Sequence, residues 1–235
     1  MKKSPAPLLA WHFLLDSHEF NHGPFVKAAA GKTYHAKGPL VICSNGMHAS
    51  RNILDALYYA PGACISRVEM SGPMVLSHDK LCARHRKVLW MADATRPLHD
   101  FTLWAAHRAL EAERAAGGVP DPRSVSGLVC KQAWLDGQAT FDELTEAHQI
   151  AYAVYSEIEQ DSFANGYAGP SKYHFAATRA TTRAAYTAAL ACSSFAYSCY
   201  SQYGSNDSPT EKAHQNAHLT QIIMGLAPAG YTETS

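Results

Sequence analysis

Three residues within GMHASR, His48, Ser50 and Arg51, stand where chemistry is easiest to build. A glycine turn that feeds a helix start exposes unbonded N–H groups at the positive end of the helix dipole, which favours an anion. His48 beside that turn, with Ser50 and Arg51 next to it, reads as a cradle for phosphate or carboxylate. The alternative is structural, with the His48 ring bonding the loop and holding the turn in shape. Further along, Cys64 to Met70 alternates Cys, Ser, Val, Met against Ile, Arg, Glu, as a half-buried strand does. Arg67 and Glu69 then share the wetter face, where an ion pair with a neighbouring strand is the ordinary role. In the catalytic reading Glu69 is the essential acid, His12 and His48 complete the set, and Tyr34 contacts a bound nucleotide. All of these groups must reach one substrate.

The run HDKLCARHRK, residues 78–87, is the one local basic cluster. As a strand it would put Lys80, Cys82, Arg84 and Arg86 on one face, a positive stripe able to meet phosphate or an acidic surface. A charged edge strand that discourages aggregation has the same pattern. Among 13 histidines, His214 and His218 form an i, i+4 pair, with His174 or Cys199 as the only evident supplements, so the sequence assigns no metal site and no cofactor. The six cysteines include no CxxC pair and read as reduced thiols. Cys43 and Cys64 sit in apolar strand-like runs, where thiols are inert. Tyr186, Tyr197 and Tyr200 lie on an Ala/Ser/Thr-rich helix and read as an interface stripe or as core.

The elements that must position these groups change character near residue 93. Before it come short alternating runs: Leu8 to Leu15, Thr33 to His35, Leu40 to Cys43, Cys64 to Met70 and Lys80 to Met91, with a tight turn at Asn45-Gly46. Ser50 is placed to cap a short helix over Arg51 to Tyr59, ended by Ala60-Pro61-Gly62. After it come five helical stretches with proline and capping-box starts: Thr95-Arg96-Pro97, Asp121-Pro122, Thr140 with Glu143, Ser171 onward to Tyr203, and Ser208-Pro209-Thr210-Glu211. The expected fold is α+β: residues 1–92 a small mixed or antiparallel sheet module with one short helix, and 93–235 an Ala-rich antiparallel helical bundle.

Charge narrows the function. Lys+Arg and Asp+Glu are both 20, so no global basic field supplies nucleic-acid affinity, and nucleic acid is a disfavoured partner. No apolar run approaches a membrane span, and Pro5, Pro7, His12 and Asp16 interrupt the apolar N-terminus, so neither export nor membrane insertion is expected.

The motifs GKTYHAKGPLVICSNGMHAS, ALYYAPG, SRVEMSG and DKLCA, from about Gly31 to Trp90, resemble an uncharacterised domain family of phage and bacterial proteins. Its members carry a G-F-H-A-[CS] turn, a helix ending in a Y-Y-P-P-like turn and an R-x-x-E-V-E-like strand; here Met47 replaces the phenylalanine and Ala60-Pro61 the double proline. From Asp93 on, LWAAHRAL, DPRSV, KQAWLDGQ and AATRATTRAAYTAALA resemble an Ala-rich helical domain of bacterial putative immunity proteins. The resemblance implies a phage or prophage origin and brings no reaction. The expectation is a cytoplasmic, non-enzymatic protein that binds a host or defence-system protein as an anti-defence or immunity-type inhibitor. Two alternatives are an ADP-ribosyltransferase-like or nucleotide-binding enzyme, in which a His-Tyr-Glu set serves the chemistry, and a virion or assembly component. Oligomeric state is not legible.

Overall fold

Alternation and turn chemistry build the first half of the protein, described from a computed structural model for residues 6–20, 26–165, 171–186 and 209–233. Five strands form one antiparallel sheet: β1 (Leu8–Leu14), β2 (Thr33–His35), β3 (Met47–Ala49), β4 (Cys64–Leu76) and β5 (Leu81–Asp93). Their order is β1-β4-β5-β2, and β3 pairs with β5 on the same edge as β2. One further bridge changes the topology. Trp11 N–H donates to the Ser50 carbonyl at 2.8 Å, and Ser50 N–H returns the bond at 3.0 Å. β1, β4, β5 and β3 are thereby joined in a hydrogen-bonded ring, which leaves fewer unpaired strand edges.

Inside that ring lie Ala10, Leu14, Phe20, Tyr34, Ala49, Val68, Met70, Leu81, Ala83 and Val88. Side chains alternate across a strand, so the other face of β1 and β4 carries Trp11 and Arg67. The chain does not leave that face wet. Arg67 is 7% exposed, stacks on Trp11 with its Cζ 4.3 Å from the ring, and bonds Glu233 at 2.7 Å; Tyr231 meets Trp90 edge-on. The expected wetter face of β4 is therefore covered at Arg67 by a segment more than 160 residues away in sequence.

Two local expectations change. Leu40–Cys43 is no strand; Val41 and Asn45 bridge a turn in which Cys43, not Asn45, takes positive φ (62°). The strand is instead β3. The helix α1 (Ile53–Tyr58) is capped at Asn52 rather than Ser50, because Ser50 is already committed to the bridge with Trp11.

The remaining described helices are α2 (Thr95–Ala115), α3 (Pro122–Leu135), α4 (Phe141–Asn165), α5 (Ser171–Tyr186) and α6 (Pro209–Met224). Two starts follow the expected capping chemistry: the Asp121 side chain accepts from Arg123 N–H, and Thr140 and Glu143 exchange side-chain-to-backbone bonds at 2.7 and 3.2 Å. For α2 the acceptor is Asp93, which bonds the backbone and hydroxyl of Thr95. The chain is α+β and divides into two compact units, Met1–Pro97 with Asn216–Ser235, and Leu98–Gln215. The last segment thus groups with the sheet, whereas a boundary at 92/93 would leave it with the helices. In the helical unit Leu103, Leu110 and Leu128 pack with Ala106, Ala109, Ala177, Ala180 and Ala184, so alanine spacing sets close helix approach.

Candidate functional site

Arg86 is the most unusual side chain of the sheet unit. The expected basic stripe requires unbroken alternation along β5, but register shifts in the β4–β5 ladder fall opposite residues 83–85 and 88–90. A bulge reverses which face the next residue takes. Leu81 and Ala83 point into the ring, and so do Arg86 and Val88. Arg86 is consequently 3% exposed, its Cζ 4.3 Å from the Phe20 ring and its Nη1 donating to the His48 carbonyl at 2.8 Å. Its Nε has no hydrogen-bond partner among the described residues. Burial pushes its pKa down to about 10, which still leaves it charged at neutral pH.

The other two members of the expected stripe are also occupied. Arg84 donates to the Ala36 and Gly38 carbonyls at 2.6 and 2.8 Å, pinning the turn after β2. Lys80 lies over the Tyr59 ring at 4.3 Å and donates to its hydroxyl at 3.0 Å; that bond, foremost, raises the lysine above its ordinary pKa. No continuous positive stripe results from these three.

The proposed catalytic set does not converge either. His12 shares the inward face of β1 with Ala10 and Leu14, its ring 6.1 Å from Phe20. Phe20 in turn meets Tyr34 edge-on at 4.7 Å. His12, Tyr34 and Arg86 therefore do gather around one phenylalanine. Glu69 lies between the inward residues Val68 and Met70 and so faces the opposite way. His48, between inward Met47 and Ala49, also faces outward, but opposite Cys82, whereas Glu69 is opposite Lys87. On the order of 15 Å of strand separates those registers. One substrate cannot reach all three groups.

Each remaining member has a structural task. The His48 ring Nε2 accepts from Cys43 N–H at 3.1 Å and so holds the Val41–Asn45 turn. Gly46, at φ 142°, is required there because a Cβ would lie 2.9 Å from that of Cys82. Tyr34 donates to the Lys27 carbonyl and accepts from Ala29 N–H. Ser50 is buried, and Arg51 is exposed before α1. The start of α1 is served by the protein itself: Asn216 accepts from Leu54 N–H at 3.3 Å, and Asn52 bonds Asp55. Burial raises the Cys64 thiol to about 11 and Cys82 above its usual value, so neither is an activated nucleophile. Tyr186 ends α5 with its side chain outside the described residues, as are Tyr197, Tyr200 and Cys199. Among the described residues no group of three or more His, Cys, Asp or Glu could hold a metal ion.

What the sequence did not single out is a set of exposed apolar side chains around the β4–β5 tip. Tyr58 and Tyr59 meet edge-on at 5.0 Å and are 46% and 43% exposed. Tyr59 bonds Asp79 and Lys80 in the hairpin turn; near the end of β4, Val75 and Leu76 are 39% and 55% exposed and point to opposite faces of the strand. The doublet Tyr58-Tyr59 at a helix end before Pro61 was the available signal. In the helical unit Lys131 was missed as well: fully buried, its Nζ lies 4.6 Å from the Trp134 ring and has no hydrogen-bond partner among the described residues, and burial lowers its pKa to about 8.

Residues 23–99, which contain β2 to β5 and α1, match a family described as Domain of unknown function (DUF7666). No curated protein and no solved structure matches the chain. No helix among the described residues is long and apolar enough to cross a membrane.

Proposed function

We propose that this chain is a non-enzymatic interaction protein that acts by binding another protein. The observation that carries the reading is the exposed Tyr58-Tyr59 pair, anchored to the β4–β5 turn through the Tyr59 hydroxyl, with Leu76 also exposed on that hairpin. Exposed tyrosines supply contact area at low entropic cost, and they recur in interface hot spots; the Tyr59 hydroxyl is already fixed by Asp79 and Lys80. The dispersal of His12, His48 and Glu69 over two faces of the sheet supports the same reading by removing a shared catalytic centre. In its finer form the partner is a host or defence-system protein in the cytoplasm, and the chain is a phage- or prophage-derived anti-defence or immunity-type inhibitor. That part rests on the motif resemblances alone.

Co-purification of the tagged chain from phage-infected or toxin-expressing cells should return one stoichiometric partner. A Tyr58→Ser/Leu76→Ser variant, folded by circular dichroism, should lose it. Recovery of no partner by the parent chain, or undiminished recovery by the variant, overturns the reading.

A further inference from the structure

His35 and His85 are direct cross-strand partners in the β2–β5 ladder. Tyr34 and Arg86, their neighbours, point inward, so both imidazoles project from the outer face of the sheet, His35 exposed and His85 partly so. Their Nδ1 atoms are 2.6 Å apart and their rings meet at 4.7 Å, 77° from coplanar. An N···N contact of that length needs one proton between the two nitrogens, since two lone pairs would repel. The rings are also held from behind. Gly72 sits at a β4 register shift with φ 76°, and a Cβ there would come within 2.9 Å of His85 Cδ2. The bulge and the missing side chain make the space that the His85 ring occupies.

We propose that His35 and His85 form a two-imidazole site for a divalent transition cation, of which Zn2+ and Cu2+ are the fitting class. Two nitrogens at about 2.0–2.1 Å from a tetrahedral ion lie roughly 3.4 Å apart, so the pair opens by less than about 1 Å to admit it. The ring that carries its proton on Nδ1 passes to the Nε2–H tautomer; both imidazoles stay neutral and both Nδ1 lone pairs bind. Imidazole suits these ions, and copper binds tighter than zinc at a given nitrogen site. Water fills the remaining positions, which the exposure of His35 leaves open. Because the ligands come from two strands, the ion also ties β2 to β5. The site is independent of the tip side chains and of the protein-binding reading.

The test uses the full chain, stripped with chelator and dialysed, titrated calorimetrically with ZnSO4 and with CuSO4. One equivalent should bind in the micromolar range. His35→Ala and His85→Ala should each weaken binding by at least about tenfold, while a His214→Ala/His218→Ala variant, which removes the helical i, i+4 pair, leaves it unchanged. Bound Cu2+ should show two equivalent nitrogen couplings by electron paramagnetic resonance. The proposal fails if the parent chain binds neither ion below about 1 mM, if both single variants bind as the parent does, or if the affinity disappears with His214 and His218.

Discussion

Among the described residues, Arg86 in the sheet unit and Lys131 in the helical unit are buried cations without an acidic partner, and the two are buried differently. In the sheet unit Arg86 stacks on Phe20 and bonds the His48 carbonyl, so part of what it loses in water is replaced by fixed partners, although its Nε has none among the described residues. In the helical unit Lys131 has the Trp134 face and no hydrogen bond for its Nζ among the described residues. Burial lowers both by a similar amount, to about 10 for Arg86 and about 8 for Lys131, so the arginine keeps its charge more firmly because it starts from a higher pKa. A guanidinium spreads its charge over a plane that can stack and bond at once, and it keeps its proton; an ammonium concentrates its charge and can shed it. Burial alone does not tell whether a cation holds a structure together or burdens it.

The largest test concerns Lys131. Its folded pKa of about 8 lies below the ordinary 10.5, so between those values the unfolded chain binds the extra proton. Stability contributed by this residue must then rise with pH across that window, by on the order of 3 kcal/mol in total. Lys131→Met should therefore be more stable than the parent in urea by about 2 kcal/mol at pH 7, with the gap closing above about pH 10.5. A constant gap would mean that the amine is charged and well solvated. Next, Arg86→Met should lose about 2 kcal/mol at pH 7, because it leaves the His48 carbonyl unpaired and removes the stacking on Phe20. The same substitution thus has opposite signs in the two units, and a gain in stability at Arg86 breaks the comparison. The smallest test asks whether the helical unit depends more on local caps than on its buried cation. Asp121→Ala removes the bond to Arg123 N–H and should cost about 1 kcal/mol by thermal or urea unfolding.

Interactions confined to a few residues were legible in the sequence. Asp121-Pro122 and Thr140 with Glu143 mark helix starts because donor and acceptor lie within three residues. β2 and the β4–β5 hairpin follow from alternation and a turn. Alternation fails where the ladder bulges; the bulge opposite Arg84 is marked only on the partner strand, by Gly72-Pro73, and nothing near Leu89 announces the second, so Arg86 reads as a surface charge and is buried. Ser50 fails as a cap for a similar reason, since Trp11 claims its backbone from 39 positions away. The candidate site suffered most. His12 and Tyr34 do come together, through Phe20, whereas the pleat turns Glu69 and His48 outward, away from them, and register keeps those two on the order of 15 Å apart.

The C-terminal cover on Arg67 and Trp90 makes the sheet unit discontinuous, since Leu98–Gln215 is inserted between its two pieces. During synthesis the helical unit emerges whole while the sheet still lacks Glu233 and Tyr231, and domains generally fold as they emerge. Arg67 and the Trp90 face then stand open until Tyr231 and Glu233 have left the ribosome. The order of completion is the reverse of the order in which the two units begin, and a chain ended at residue 215 and released would hold the whole helical unit while Arg67 lacked its cover.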